Sequence, residues 1–502
     1  MDGAPVNLGL LLEMVADGGG DRVVLGSRPG GMTGSALLAA ARAAASRFRA
    51  SGAEYAGFLD LNSEAVPVAL FGAALAGIPF VPVNYRLEDG HLAAILERIA
   101  PGVVVAGPGS AGRVPAGVGL SVVDPAELLA PAPPDAGELD WVDGESVAVL
   151  LFTSGTTGAP KAAVLRHRHL VSYIMSSVEF FSAGEDEAQL ISVPPYHIAG
   201  VSSVLSSLYS GRRMVYLSGF DPHAWVGAVR AESVTQAMVV PTMLGRILDV
   251  LEQTGEGLPS LRHLSYGGGR MPVETIERAM ATWPAVDFVN AYGLTETSST
   301  VAILTPEDHR EAVSSTEPSV RARLGSVGRP LPSVEISIRD DAGRPVPPGG
   351  RGEVWIRGDQ VAGEYLGASL VDADGWFPTR DAGRLDDAGF LYLDGRLDDV
   401  IVRGGENLSP GEIEEVLLAH PAVRDAAVVG VPDPEWGEAV AAAVVLETGS
   451  SATAEELQAW VRGRLRSTRT PQTIQFRSEL PYNETGKLLR RVIRDEVRAP
   501  AP

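Results

Sequence analysis

The stretch Val147-Ala148-Val149-Leu150-Leu151-Phe152-Thr153-Ser154-Gly155-Thr156-Thr157-Gly158-Ala159-Pro160-Lys161 decides the fold of this chain. Its first part, residues 147–152, is an apolar run of strand length and predicts a buried β-strand. The strand leads into a loop of hydroxyl and glycine residues that ends in Lys161. Glycines let the backbone approach a bulky anion, and hydroxyl and amide groups donate hydrogen bonds to phosphate oxygens. The stretch therefore predicts a strand followed by a phosphate-binding loop.

Lysine is rare in this chain, which makes the lysine of the loop informative. Of the 41 basic residues only Lys161 and Lys487 are lysines, so the other 39 are arginines. Arginine presents a wide planar fork, whereas lysine carries a compact ammonium group on a flexible stem. We infer that both positions need this compactness; the alternative is that two surface lysines survived by chance.

The composition excludes several classes of function. A chain of 502 residues should contain at least two domains, and its net charge of −22 argues against nucleic acid or an anionic membrane as a partner. The absence of cysteine excludes disulfides, thiolate metal sites and a cysteine nucleophile. Residues 1–4 lack the basic start and apolar core that are typical of a signal peptide, and prolines in the apolar stretch 66–83 favour a buried helix and strand over a membrane span. We expect a cytoplasmic protein without membrane insertion.

The first part of the chain alternates helical and strand patterns, which predicts an α/β fold. Helices are expected at 34–49, 66–76 and 91–99, and strands at 57–61, 80–83, 103–106, 189–193, 213–217, 235–240, 264–266 and 287–291. The strands that end before Ser154, Pro194, Gly267 and Tyr292 lead into polar or glycine-rich loops. Ligands of an open parallel sheet lie beyond the carboxyl ends of its strands, so these loops are expected to form one site.

The pattern changes after residue 326. Segments 334–338 and 353–356 alternate apolar and polar residues, as antiparallel strands do. Ser409-Pro410-Gly411-Glu412 predicts a helix start, with Ser409 as N-cap and Glu412 completing a capping box. The remaining order is helix, strand, strand, helix, strand. We therefore expect a large N-terminal domain (1–397) of α/β sheets with a small β-barrel-like part, and a small mobile α+β domain (398–502).

Several motifs in a fixed order resemble those of the AMP-forming acyl-CoA synthetase superfamily, which includes carrier-loading adenylation domains and firefly-type luciferases. The resemblance covers nearly the whole chain and implies that ATP is split into AMP and pyrophosphate. A Walker loop is excluded because only two residues separate Gly155 from Gly158. The matching residues are the loop 153–161, Tyr292-Gly293-Leu294-Thr295-Glu296, Asp381, Gly395-Arg396-Leu397-Asp398-Asp399, Gly404-Gly405-Glu406-Asn407 and Asn483-Glu484-Thr485-Gly486-Lys487.

The resemblance implies roles in the activation of a carboxylic acid by ATP. Glu296 would hold Mg²⁺, and Thr295 would contact the α-phosphate. Lys487 would bridge the acyl carboxylate and the α-phosphate, Asp381 would accept the ribose hydroxyls, and Tyr292 would stack on adenine. The ATP and AMP site is expected to comprise Thr153, Ser154, Gly155, Thr156, Thr157, Gly158, Lys161, Gly268, Gly269, Arg270, Tyr292, Gly293, Asp381 and Arg396.

The acyl group and the thiol acceptor are expected beside the nucleotide. By resemblance, His197 borders the acyl pocket, although a lone histidine is more often structural; Met243, Gly269 and Gly293 would line the same pocket. The C-terminal domain would swing about a hinge at Asp398 and form a tunnel for the pantetheine of CoA. The expected contacts of CoA are Arg86, Arg403, Gly404, Gly405 and Trp436, helped by ten basic against four acidic residues in 462–498.

Three functions fit these motifs. An AMP-forming acid:CoA ligase that uses ATP, Mg²⁺ and CoA is favoured, because no carrier domain follows Lys487 before Pro502. The second is a stand-alone enzyme that loads a carrier protein. The third is a non-catalytic nucleotide-binding relative, against which the intact Lys161, Glu296 and Asp381 argue. An aryl, a fatty and a polycyclic terpenoid acid all stay open as substrate, as does a homodimer.

Overall fold

The computed structural model describes residues 6–131, 141–153, 161–404, 406–483 and 488–498. Its helices are α1 Leu8–Gly19, α2 Gly34–Ala50, α3 Ala65–Ala76, α4 Asp89–Glu97, α5 Pro125–Leu129, α6 His167–Ser177, α7 Ile198–Tyr209, α8 Pro222–Ala231, α9 Pro241–Thr254, α10 Val273–Thr282, α11 Pro306–Ser314, α12 Pro318–Arg321, α13 Pro410–Leu418, α14 Ala454–Arg462 and α15 Arg490–Arg498. Its strands are β1 Val23–Leu25, β2 Met32–Thr33, β3 Tyr55–Phe58, β4 Phe80–Pro82, β5 Gly102–Val105, β6 Leu120–Val123, β7 Val147–Thr153, β8 Lys161–Arg166, β9 Ala188–Ile191, β10 Arg213–Tyr216, β11 Gln236–Val239, β12 His263–Gly267, β13 Asp287–Leu294, β14 Ser299–Leu304, β15 Arg329–Pro330, β16 Glu335–Arg339, β17 Gly352–Arg357, β18 Glu364–Tyr365, β19 Ala368–Ser369, β20 Phe377–Leu385, β21 Leu391–Arg396, β22 Ile401–Arg403, β23 Glu406–Leu408, β24 Val423–Asp433, β25 Gly437–Leu446 and β26 Thr473–Arg477.

Three sheets precede residue 398. A nine-stranded sheet has the order β15-β14-β13-β12-β11-β9-β10-β1-β2, and an eight-stranded sheet has the order β19-β18-β8-β7-β4-β3-β5-β6. Their central strands run parallel, which confirms the predicted α/β architecture. The segment predicted to be barrel-like forms a four-stranded antiparallel sheet, β16-β17-β20-β21, whose ladder does not close into a barrel over the described residues.

The apolar stretch 66–83 forms a buried helix and a buried strand, as its prolines predict. Every residue of α3 is buried, and the helix ends at Gly77, whose φ of +75° is a left-handed conformation that favours glycine. Strand β4 follows at once and pairs in parallel with β3. In the part of the chain that the structure describes, no helix is long and apolar enough to cross a membrane.

The start of α13 differs from the prediction. Ser409 precedes the helix and Pro410 occupies its first turn, but the Ser409 side chain makes no capping hydrogen bond. Its hydroxyl donates instead to the carbonyl of Asp394, at 2.6 Å, and the Glu412 carboxylate pairs with Arg469 at 2.7 Å. The predicted capping box is therefore wrong, because both side chains have stronger partners outside the helix. Ser409 consequently joins α13 to the end of β21.

The residues after 398 form a compact α+β unit of their own. A five-stranded sheet has the order β23-β22-β25-β24, with β26 added on β25, and α13, α14 and α15 complete the unit. The predicted order of helix, strand, strand, helix, strand is confirmed, and the hairpin β22–β23 precedes it. The two apolar core clusters of this unit contain only residues after 400, and the other four contain only residues before 398.

Candidate active site

The carboxyl edges of the eight- and nine-stranded sheets face each other, and most of the predicted site residues that the structure describes lie in or next to strands of these two sheets. Asn62, which follows β3, donates through Nδ2 to the carbonyl of Val193 beyond β9, at 2.7 Å. Tyr85, after β4, packs edge-on against Tyr196, with 5.4 Å between the ring centroids. The four predicted loops follow strands of two sheets: β7 belongs to the eight-stranded sheet, whereas β9, β12 and β13 belong to the nine-stranded one.

The predicted phosphate loop lies in sequence between two antiparallel strands. Strands β7 and β8 are antiparallel and place Thr153 opposite Lys161. The loop residues Ser154, Gly155, Thr156, Thr157 and Gly158 lie outside the described residues, so their contacts stay predictions. This pairing holds the Lys161 backbone at the end of the loop, and the Lys161 Nζ lies 5.7 Å from the ring centroid of Tyr365.

Tyr365 connects the predicted phosphate-binding lysine to the predicted magnesium ligand. Its hydroxyl donates to the Glu296 carboxylate. Burial and the neighbouring charge of Glu296 raise the pKa of Tyr365, so the hydroxyl stays protonated and remains a donor. The Glu296 carbonyl accepts two further hydrogen bonds, from the amides of Ala362 and Gly363, at 2.9 Å each. Sequence reasoning missed Tyr365 because it lies in the two-residue strand β18, where no pattern marks it.

Asp381 forms a second group with Tyr292 and Arg396. The Tyr292 hydroxyl donates to Asp381 Oδ2 at 2.6 Å, and Arg396 Nε lies 3.1 Å from Oδ1. Burial alone would lower the pKa of Arg396, but Asp381, Tyr292 and Glu296 together hold it above its usual value. Tyr292 lies near the end of β13, and Glu296 lies in the 3₁₀ turn that follows this strand, so the backbone joins the two groups.

Tyr292 was expected in a loop, and that expectation is wrong. Strand β13 continues through Leu294 and pairs antiparallel with β14, so Tyr292 is a strand residue whose side chain is buried. A Cβ at Gly293 would lie 1.9 Å from the Ser299 carbonyl, which explains the glycine at this irregular pairing. Thr295 and Glu296 then follow in a single 3₁₀ turn. The stacking of Tyr292 on adenine stays a prediction.

The loop after β12 has the exposed backbone expected of a ligand-binding turn. Gly268 has a φ of +77°, and Gly268, Gly269 and Arg270 are exposed. The Arg270 side chain extends away to α13, where it donates to the Gly411 carbonyl at 3.2 Å and pairs with Glu415 at 3.2 Å. The backbone of this loop is thus left for a ligand, while the guanidinium links the two parts of the chain.

His197 and Met243 lie at the ends of neighbouring strands. His197 follows β9 and precedes α7, and its ring packs against Tyr196 with 4.7 Å between centroids. Burial lowers the pKa of His197 to about 4, so the imidazole is neutral at physiological pH. Met243 is buried in the first turn of α9, after β11. A neutral histidine and a thioether provide a largely apolar wall.

The depressed pKa of His197 predicts a specific loss of stability in acid. An unfolded histidine titrates near 6.5, so this contribution is complete above about pH 6.5 and is lost as the pH falls toward 4. We expect His197→Gln to reduce the fall in unfolding free energy between pH 7 and pH 4.5 by about 2 kcal/mol. Urea denaturation at both pH values measures this difference in unfolding free energy. His223→Gln, at an exposed position, is the control and should behave like the parent protein.

Three of the predicted CoA contacts form a cluster. The Gly404 amide donates to the Trp436 carbonyl at 2.8 Å, and the Arg403 guanidinium lies 5.9 Å from the Trp436 ring. Trp436 is 46% exposed, so its ring is open to a ligand. Arg86 lies apart from this cluster in sequence, after β4, with its guanidinium 5.5 Å from the Tyr85 ring. Gly405 and Lys487 lie outside the described residues.

Asp398, the predicted hinge residue, forms an ion pair with a residue whose backbone conformation is uncommon. Asp398 lies in the 3₁₀ turn Leu397–Asp399 and pairs with Arg380 at 2.8 Å. Arg380 has a φ of +62°, in the left-handed region where residues other than glycine are uncommon. Its amide donates to the Glu353 carboxylate at 3.0 Å, which helps to hold this backbone shape.

The donor set fits a magnesium ion that is held mainly by nucleotide oxygens. Over the described ranges, no three His, Cys, Asp or Glu side chains converge as an all-protein metal site. Mg²⁺ is usually bound by one or two carboxylates together with substrate phosphates. Glu296 supplies one carboxylate, beside Tyr365 and Lys161, and thus meets this requirement without further protein ligands.

Family models match most of the chain. The model of the AMP-binding enzyme family matches residues 12–366, and that of the AMP-binding enzyme C-terminal domain matches residues 412–487. A feruloyl-CoA synthase from Amycolatopsis sp is 35% identical over 451 residues, with 87% of each chain covered. A fatty acid–[acyl-carrier-protein] ligase from Streptomyces coeruleorubidus is 33% identical over 459 residues, covering 87% of this chain and 86% of the relative.

A solved structure extends the likeness to the whole chain. The o-succinylbenzoate CoA synthetase of Bacillus subtilis, in complex with its acyl-adenylate intermediate, has a TM-score of 0.83 and 28% identity, and the match covers 99% of both chains. The same synthetase has been solved with ATP and a magnesium ion. The first family model spans well over half of this chain, so the chain belongs to the family of AMP-binding enzymes.

Proposed function

We propose that this protein is an AMP-forming acid:CoA ligase. The observation that carries the proposal is the pair of adjoining groups, Lys161–Tyr365–Glu296 and Tyr292–Asp381–Arg396, at the meeting edge of two sheets. The first group offers a cation and a carboxylate to a magnesium-bound triphosphate. The second offers a buried carboxylate to ribose hydroxyls. Relatives named as CoA synthetases and CoA ligases support CoA as the acceptor.

Adenylation begins when an oxygen of the carboxylic acid attacks the α-phosphorus of ATP and pyrophosphate leaves. Lys161 and the hydroxyls of its loop stabilise the departing pyrophosphate, and Lys487 stabilises the charge that builds up between carboxylate and α-phosphate. When bound, Mg²⁺ neutralises charge on the phosphate oxygens. Asp381 fixes the ribose, so that the α-phosphorus is held in line with the acid. The neutral His197 leaves the carboxylate without a competing charge.

Thioester formation follows when the sulfur of CoA attacks the acyl carbonyl and AMP leaves. We place CoA between Arg86 on the first unit and Arg403, Gly404 and Trp436 on the second. Rotation of the residues after Asp398 would exchange Lys487 for this cluster, so that one site serves both steps. The second candidate function is carrier loading, because one relative is named as a ligase of a fatty acid and an acyl carrier protein.

A measurement of pyrophosphate release distinguishes a CoA ligase from an enzyme that loads a carrier protein. Purified protein is given ATP, Mg²⁺ and a panel of aryl, fatty, polycyclic and amino acids, with and without CoA. Multiple turnovers that require both one acid and CoA support the ligase. A burst of about one equivalent that CoA does not extend indicates a carrier protein as acceptor. Bound ATP with no release for any acid contradicts an adenylating enzyme.

Replacing Tyr365 by phenylalanine tests the link between Lys161 and Glu296. A hydrogen bond to a charged group contributes about 1.5–3 kcal/mol, so we expect about a tenfold fall in kcat/KM for ATP and a higher Mg²⁺ requirement. The rate of ATP–pyrophosphate exchange over a Mg²⁺ titration measures both. Tyr392→Phe is the control, because Tyr392 is a half-buried tyrosine whose carboxylate neighbour is Asp386. An unchanged Mg²⁺ requirement would show that Tyr365 does not position Glu296.

A further inference from the structure

A backbone turn of uncommon conformation follows Glu296, the predicted magnesium ligand. Ser298 has a φ of +56° and Ser299 a φ of +115°, both in the region that favours glycine. Two consecutive residues other than glycine in this region are strained, and such strain persists only where neighbouring contacts hold the backbone in place. The contacts that hold this turn therefore also fix the carboxylate that precedes it.

The side chain of Gln360 supplies two of these contacts. It is fully buried, and its Nε2 donates to the carbonyl of Thr297 at 3.0 Å and to the carbonyl of Thr300 at 2.8 Å. Because both acceptors are carbonyl oxygens, both hydrogens of the amide are used, one on each side of the two serines. If the backbone of either serine relaxed, a buried amide hydrogen would lose its acceptor, which is costly.

Gln360 begins a short segment, residues 360–365, that contacts both large sheets. Gln360 binds β14 of the nine-stranded sheet, whereas Tyr365 pairs with Ala163 of β8 in the eight-stranded sheet. The amides of residues 362 and 363 lie between these two anchors and donate to the Glu296 carbonyl. The segment thus holds the backbone of the predicted metal ligand from one side, and Gln360 holds the strained turn that follows.

We propose that Gln360 is a positioning residue for the metal site, because it keeps the turn after Glu296 in its strained form and so preorganises the carboxylate for a magnesium-bound triphosphate. The proposal rests on the proposed function and adds to it a residue that does not itself bind substrate. Partners that orient a metal ligand typically change metal affinity by about 10- to 100-fold when they are lost. Without Gln360, the two serines relax and the Glu296 carboxylate is no longer held in place.

ATP binding with and without metal tests the proposal without any turnover. Calorimetry with ATP, in the absence of an acid substrate, is run once with Mg²⁺ and once with EDTA. We expect Mg²⁺ to tighten ATP binding to the parent protein by about 10- to 100-fold but to Gln360→Met by less than about threefold, with equal binding of both proteins in EDTA. Methionine keeps the length of the side chain and removes the donor.

Gln458→Met is the matched control. Gln458 Nε2 also donates to two backbone carbonyls, those of Pro471 at 3.0 Å and Gln472 at 3.2 Å, but in the unit after residue 398. This variant loses the same number of hydrogen bonds and should keep the parent gain from Mg²⁺. Should Gln360→Met fail to fold, Gln360→Asn carries the same comparison, because its shorter amide cannot reach both carbonyls.

A glycine at position 298 tests the strain independently. Ser298 Oγ makes no hydrogen bond with any residue that the structure describes, so Ser298→Gly removes no such contact and lets the left-handed backbone form without strain. Added to Gln360→Met, it should restore part of the gain from Mg²⁺.

Three results would overturn the proposal while leaving the proposed function intact. They are a parent protein that binds ATP equally with Mg²⁺ and EDTA, a Gln360→Met protein that keeps the parent gain or loses ATP affinity equally in both conditions, and a double variant without recovery. A parent protein that binds no ATP in either condition contradicts the proposed function, and the role of Gln360 with it.

Discussion

Lys487→Ala is expected to lose adenylate formation and to keep thioester formation. A group that stabilises developing charge in the transition state typically contributes a factor of about 10²–10³, so ATP–pyrophosphate exchange should fall by at least that much. A synthetic acyl-adenylate supplied with CoA bypasses this step, and its conversion should stay within about threefold of the parent rate. Lys487 itself lies outside the described residues, so this experiment is the direct test of its role.

Because Lys161 and Lys487 are the only lysines in the sequence, variants at these two positions serve as the matched set. Lys487→Arg keeps the charge but replaces a compact ammonium by a planar fork, and we expect it to recover little of the exchange rate. Lys161→Ala should both raise the KM for ATP and lower kcat, since Lys161 is assigned to the pyrophosphate part of ATP while it is bound and as it leaves. An equal loss of both half-reactions in Lys487→Ala would contradict the assignment, as would full recovery in Lys487→Arg.

Asp381→Ala is expected to impair both ATP use and stability. Arg396 and Tyr292 would lose the carboxylate that they share, and breaking a buried ion pair destabilises by about 3–5 kcal/mol. Because the Arg396 side chain is 35% exposed, water replaces part of that interaction, and we expect about 2–3 kcal/mol. Loss of the ribose contact should lower kcat/KM for ATP by about 10²-fold or more.

Tyr292→Phe separates the two effects of Asp381. It removes one hydrogen bond and leaves the ion pair with Arg396, so unfolding free energy should fall by about 1 kcal/mol and ATP use should change far less. Urea denaturation and ATP–pyrophosphate exchange measure the two quantities. If Asp381→Ala loses stability but keeps its kcat/KM for ATP, the carboxylate is only a structural partner of Arg396.

Local sequence patterns predicted the helices and strands well, whereas contacts between distant segments of the chain were not predictable. The apolar run before Ser154 forms β7, and the proline-interrupted stretch 66–83 forms α3 and β4, because each pattern is complete within a few residues. The capping box predicted at Ser409 failed because the deciding contact is distant. The Ser409 hydroxyl donates to the carbonyl of Asp394 in β21, which lies outside the local pattern of α13.

In the candidate site too, residues within a sequence motif were predicted, whereas contacts between distant segments were not. Asp381 and Arg396 were predicted as neighbours through the resemblance, and they do lie opposite each other in β20 and β21. Tyr365 was missed, because its importance comes only from the approach of Glu296, which lies in the 3₁₀ turn after β13 of the other sheet.

The separation of the apolar cores on either side of residue 398 has a consequence for any motion between the two units. Arg270 reaches Gly411 and Glu415, and Ser409 reaches Asp394, so these cross-contacts are polar. Water can replace such contacts when the two units separate, and the apolar residues of neither core need become exposed. We therefore expect a protease that cuts in the turn Leu397–Asp399 to yield two folded fragments, and added salt to loosen their association.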